Sequence, residues 1–285
     1  MMYRTDLAVE AIGALESKGG GYSLREESHG SCKVTAIEIF TPEAATRLKK
    51  PVGKYCTLHL PSFSDTPDIN GTGALLTAKL LRSMLPETGT VLVIGLGNRA
   101  LTADALGPKT ADRVLATRHI QKELGRVAGL EQLRPVCVCS PGVLGMTGMD
   151  TREILSAMVS QIQPAAVIAI DALAAADRER LGCTVQITDS GIAPGSGVGN
   201  SRPCINRDTL GIPVIGVGVP TVMDASALAA SGQGRGAASR SSVPLTITVR
   251  EIDLLINRAA SLLSMAINKA LNPQVEERWF RELTE

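Results

Sequence analysis

Two carboxylates in this 285-residue chain stand where folds tend to place reactive groups. Asp171 follows the apolar run of residues 165–170, so a strand is expected to end at it and leave it partly desolvated. Asp104 stands at the start of a helix expected over about residues 103–119. The plain alternative for each is a helix N-cap, a role that Asp fills well. Converging at one switch point of a parallel sheet, the two would form a coupled pair able to share a proton. One carboxylate then activates water while the other protonates the leaving group, which is hydrolytic chemistry.

Other chemistries fit less well. Gly95-Leu96-Gly97-Asn98-Arg99-Ala100 matches the form of a dinucleotide-binding turn after a strand. Asp104, however, would bring negative charge where a pyrophosphate needs helix N–H groups, and Pro108 delays the helix. The glycine-rich run of residues 191–199 lacks the Lys-Ser/Thr of a P-loop, and no GxSxG elbow surrounds Ser196. His119, on the same expected helix as Asp104, would lie roughly 20 Å away along its axis. His29, His59 and His119 have no ligand-type neighbours at short spacing, so neither a metal nor a cofactor is expected. Cys32, Cys56, Cys137, Cys139, Cys183 and Cys204 form no CxxC pair and read as reduced thiols packed as small hydrophobes.

The elements that must position these residues are legible from apolar runs. Residues 90–94, 134–139, 165–170 and 213–217 read as strands, and residues 183–188 as an edge or half-buried strand. Helices are expected over residues 103–119, 151–162 and 249–271, with a short charged helix after Pro273. Alternating strands and helices imply one three-layer α/β domain, a mostly parallel sheet with helices on both faces, over residues 7–285. Residues 231–244, rich in Gly, Ser and Arg, read as a flexible loop.

Composition agrees. Apolar residues make up 44% and charged residues 20%, which excludes overall disorder. With 28 Gly but only 1 Trp, 3 Tyr and 3 Phe, the core must be built from Val, Ile, Leu and Ala, as parallel sheets are. A formal charge of +1 supplies no field for nucleic acid or an anionic membrane. The start of the chain lacks the apolar run of a signal peptide, and no stretch reaches the roughly 18 apolar residues of a membrane span.

Several motifs are long and specific: RTDLAVEA (residues 4–11), GLGN (95–98) followed by DALGPK (104–109), and PGVLGMTGMDT (141–151). IAIDALAA (168–175), DSGIAPGSGVGN (189–200) and TLGIPVIGVGVPTVMDA (209–225) follow in order. Together they resemble the germination protease family of spore-forming bacteria. The resemblance implies an atypical aspartic endopeptidase that initiates degradation of small acid-soluble spore proteins, with Asp104 and Asp171 as its catalytic pair. It also implies a homotetramer in the cytoplasm of the forespore and spore core, and the fold shared with hydrogenase maturation proteases and phosphorylase-like proteins.

The family is made as a zymogen that cuts itself at a site resembling its substrate's: Thr, an acidic residue, an apolar residue, Ala, any residue, Glu. Thr5-Asp6-Leu7-Ala8-Val9-Glu10 fits, placing the cut between Asp6 and Leu7 and making residues 1–6 the propeptide. The plain alternative is a helix N-terminus capped by Asp6. Candidates for binding substrate or an oxyanion are Gly97, Asn98, Gly195, Ser196, Gly197, Gly199 and Asn200. Ala103 and Asp150 depart mildly from the family's usual Pro and Glu. The competing readings are a hydrogenase-maturation-type, metal-recognising endopeptidase and a non-catalytic nucleotide- or peptide-binding α/β module.

Overall fold

The computed structural model describes residues 5–14, 19–65, 68, 71–123, 132–196, 203–225 and 245–284. Gly197, Gly199, Asn200, the 231–244 loop and most of the expected propeptide lie outside them. The strands are β1 Tyr22–His29, β2 Cys32–Ile39, β3 Gly53–His59, β4 Val91–Gly95, β5 Val136–Cys139, β6 Ala166–Ala175, β7 Thr184–Thr188, β8 Val214–Asp224 and β9 Thr246–Ile247. The helices are α1 Ala8–Gly13, α2 Pro42–Leu48, α3 Thr72–Met84, α4 Leu106–Ala111, α5 Arg118–Glu123, α6 Leu144–Thr147, α7 Thr151–Ile162, α8 Arg207–Leu210, α9 Ile252–Leu271 and α10 Glu277–Thr284.

The strands form one sheet in the order β1-β2-β3-β7-β8-β6-β4-β5, with β9 beside β8. The β8–β6–β4–β5 block is parallel, while every other neighbouring pair is antiparallel. Following the directions across the sheet, β1, β3, β4, β5, β6 and β8 all point the same way. Helices cover both faces, so the α/β class expected from the sequence holds.

The alternation of side chains assigns the faces. Val91, Val93, Ile168 and Ile170 pack with α3, α4 and α9 on one side. Leu92, Ile94, Val167 and Ala169 pack with Leu155 of α7 and with Leu7 on the other. Cys137 and Cys139 share that second face, as their spacing predicts, and all six cysteines are free. The long C-terminal helix α9 buries Leu255, Ile256, Ala259, Leu262, Leu263 and Ala266.

Three expectations need correction. The helix predicted over residues 103–119 is broken: a 3₁₀ turn at Thr102–Asp104, then α4, then a separate α5. Residues 183–188 are no edge strand, because β7 runs between β3 and β8 with every residue buried. Gln186, on the polar face of β7, meets the start of the chain. Finally, β6 does not stop before Asp171 but continues to Ala175. It is β4 that ends there, since its last residue, Gly95, is paired with Ile170.

Candidate functional site

Asp171 is 5% exposed and sits within β6, with β8 on one side and the end of β4 on the other. No helix follows it, so it caps nothing. Its Oδ1 accepts the backbone N–H of Ala172 at 2.9 Å. The vacancy beyond β4 is filled by the turn that carries Asp104. Leu96 N–H still donates to Ile170 O at 2.8 Å, and the chain then turns back on itself.

Asp104 does not cap a helix either: α4 starts from Ala105 without a side-chain cap. Instead its Oδ2 accepts the Asn98 N–H at 2.8 Å. Gly97 makes this approach feasible. Its φ is +112°, and a Cβ there would lie 2.1 Å from the Asp104 carbonyl oxygen. The place that a pyrophosphate would take at this turn is therefore occupied by the protein's own carboxylate. The Asn98 N–H, one of the candidate oxyanion donors, is engaged by Asp104.

Asp104 and Asp171 line one cleft of about 470 Å³, together with Gly97, Gly195, Thr151 and Thr248. Asp171 also lines a smaller cavity of about 170 Å³ shared with Asp6, Lys50, Gln186 and Ser196. The two spaces meet at Asp171. The structure thus brings Asp104, Asp171, Gly97 and Gly195 to one cleft and Ser196 to the adjoining cavity.

The start of the chain is docked across that cavity. Asp6 N–H donates to Ala174 O at 2.9 Å, and Asp6 Oδ2 accepts the Ala174 N–H at 2.8 Å. Its Oδ1 accepts Ser196 Oγ at 2.5 Å, and its carbonyl oxygen accepts Gln186 Nε2 at 2.9 Å. Ala8 N–H returns to Gln186 Oε1 at 2.8 Å. Asp6 therefore bridges β6 and β7 over β8, and the helix that follows is preceded by Leu7 without a side-chain cap. Leu7 is fully buried among apolar residues of the β6 side.

Thr5 and Glu10 complete the seat. Lys50 Nζ donates to Thr5 O at 2.9 Å. The Glu10 carboxylate accepts Thr5 Oγ1 and the N–H groups of Ala176 and Asp177, the last two at 2.8 and 3.0 Å. Burial pushes the Lys50 ammonium below the usual lysine range, against the opposing pull of the Asp6 and Glu10 carboxylates. Behind it, burial pushes the Tyr55 phenol up to about 12. Gln186 and Lys50 were not anticipated. A Gln in an alternating strand reads as solvent-facing, and only the docking of residues 5–10 reveals its partners.

The fold and these adjoining spaces define an α/β protein with two carboxylates on one cleft and a segment of its own chain docked beside Asp171, an arrangement suited to a peptidase. Comparison with known proteins narrows the class. The model of a family described as Germination protease matches residues 6–232. The chain is 37% identical to the germination protease of Caldanaerobacter subterraneus subsp. tengcongensis over 98% of its own length and 97% of that protein's. It is 42% identical to that of Clostridium tetani, covering 80% and 73% of the two chains. With that of Priestia megaterium it shares 44% identity over 78% and 64%. Among solved structures, the [NiFe] hydrogenase maturation protease HycI from Thermococcus kodakarensis is 16% identical with a TM-score of 0.38, covering 66% of this chain and 98% of that one. The chain belongs to the germination protease family and is an endopeptidase.

Proposed function

We propose that this endopeptidase initiates degradation of small acid-soluble spore proteins and is made as a zymogen that cuts itself between Asp6 and Leu7. A homotetramer resident in the spore core forms part of the same reading. The observation that carries it is the seat of Thr5–Glu10. A segment with the family's cleavage pattern, extended up to Leu7 and helical from Ala8, is held by its backbone and by both acidic side chains, with Asp6 in a cavity that Asp171 lines.

In the proposed reaction, one of Asp104 and Asp171 takes a proton from a water molecule as its oxygen attacks the peptide carbonyl carbon. The other gives a proton to the departing amide nitrogen, so the C–N bond breaks to a carboxylic acid and an amine. The Asn98 N–H holds Asp104 in place throughout.

The test is incubation of the full chain and of its Asp104→Asn and Asp171→Asn variants, followed by intact mass. Wild type should acquire an N-terminus at Leu7 and cleave a small acid-soluble spore protein; both variants should retain Met1 and leave it whole. Full activity in either variant overturns the carboxylate pair, and loss of wild-type activity with a chelator points to a metal instead.

A further inference from the structure

We infer that Gln186 is a catalytic residue: its side-chain amide donates to the carbonyl oxygen of the bond being cut and stabilises the oxyanion formed there. The inference rests on the Asp6–Leu7 cut proposed above.

Sheet register puts Gln186 and Asp171 in one row. Gly218 of β8 is paired with Asp171 on one side and with Gln186 on the other. Residues opposite one another in a sheet point to the same face, so all three face the side on which residues 5–10 are docked. Two strand spacings separate Asp171 from Gln186, about 10 Å between backbones. The residue between them has no side chain. A Cβ on Gly218 would meet the Asp171 carbonyl oxygen at 2.5 Å and Leu173 Cγ at 2.6 Å. The Leu173 side chain thus packs over Gly218, and the row carries a carboxylate on one strand and a carboxamide two strands away.

The docked chain is gripped on both sides of Leu7. Gln186 Nε2 donates to Asp6 O, and Gln186 Oε1 accepts the Ala8 N–H, so the amide brackets Leu7 with its donor on the carbonyl of the Asp6–Leu7 peptide. Its orientation follows from chemistry: an N–H can face only the amide oxygen, which turns the NH₂ to the Asp6 carbonyl. Gln186 is 5% exposed and anchored in an interior strand. A donor held this way is already aimed where negative charge develops and need not reorganise during the reaction. When water oxygen attacks the Asp6 carbon, the carbonyl electron pair moves onto Asp6 O, against Nε2–H. Collapse returns that pair to the carbonyl as the bond to Leu7 N breaks and the nitrogen takes its proton.

Gln186→Met keeps the length of the side chain and removes the donor; Gln186→Glu keeps the shape and replaces the donor by an acceptor. Single-turnover appearance of Leu7 in the full chain should fall about 10²- to 10³-fold in either variant, the usual effect of losing one oxyanion donor. Against a small acid-soluble spore protein, the fall should lie in kcat, with KM within a few-fold and the melting temperature close to wild type. A folded variant with wild-type kcat, or a loss confined to KM, overturns the inference. Should Gln186→Met fail to fold, a peptide spanning residues 5–10 with a thioamide at the scissile carbonyl tests the same contact. Sulfur should slow wild type more than Gln186→Glu, and equal slowing overturns the role. Full activity of Gln186→Met alongside inactive Asp171→Asn removes only Gln186; an active Asp171→Asn removes the carboxylate reading beneath it.

Discussion

The backbone N–H of Asn98 donates to Asp104 Oδ2 at 2.8 Å, so the turn after β4 and the carboxylate that lines the cleft are one rigid unit. A carboxylate that accepts a fixed backbone donor is oriented by it. The turn can close only because Gly97 lets the Asp104 carbonyl come within reach of its Cα.

Gly97→Ala should therefore damage the site without touching either carboxylate. The added Cβ would sit 2.1 Å from the Asp104 carbonyl oxygen on a backbone at φ +112°. A non-glycine residue in such a region costs on the order of 1–3 kcal/mol before any clash is relieved. Chemical denaturation should show at least that loss, and self-cleavage should slow more than tenfold. A variant with wild-type stability and rate would mean that the turn does not constrain Asp104.

Ser196→Ala removes the hydroxyl that donates to Asp6 Oδ1. Hydrogen bonds to charged groups contribute roughly 1.5–3 kcal/mol, and each 1.36 kcal/mol is about a tenfold change in rate. Production of the Leu7 N-terminus should slow by about tenfold or more. The same substitution in an Asp6→Ala chain should have no further effect, because the contact is already gone. Additive slowing in the double variant would assign Ser196 some other role.

Alkaline stability should carry the mark of Tyr55. It is 3% exposed, its hydroxyl donates to Pro51 O at 2.7 Å, and burial raises its pKa from 10.0 to about 12. Below pH 10 both the folded and the unfolded chain keep the proton, and the full contribution to stability is present. Above pH 10 the unfolded chain ionises while the folded one does not, so stability falls until pH about 12. A two-unit shift corresponds to about 2–3 kcal/mol. Denaturation midpoints measured from pH 9 to 12 should fall less steeply in Tyr55→Phe than in wild type. Parallel slopes would contradict the burial assigned to this phenol.

Much of the architecture was legible because burial leaves a one-dimensional trace. The runs at residues 90–94, 165–170 and 213–217 are almost wholly apolar, and they became the interior parallel strands β4, β6 and β8. Helix α7 matches its expected bounds, with Asp150 accepting the Arg152 N–H and Glu153 accepting that of Asp150. The antiparallel β1–β3 meander left no comparable trace. β1 is largely exposed, and its YSLREESH sequence lacks an apolar stripe. Its pairing with β2 runs through the backbone, which composition does not report.

What residue types and spacing determined by themselves was the α/β class, the family's motifs and the identity of two carboxylates with a glycine turn nearby. Local chemistry suffices for that, because strand-forming runs and strained turns are specified by adjacent residues. Tertiary structure alone decided that Asp171 lies inside a strand whose neighbour ends, that Asp104 grips the turn rather than a helix, and that Gln186 meets Asp6 across 180 positions of sequence. Those relations arise from register between strands and from a docked N-terminal segment. Register is a property of pairs of segments far apart in the chain, so no window of sequence contains it.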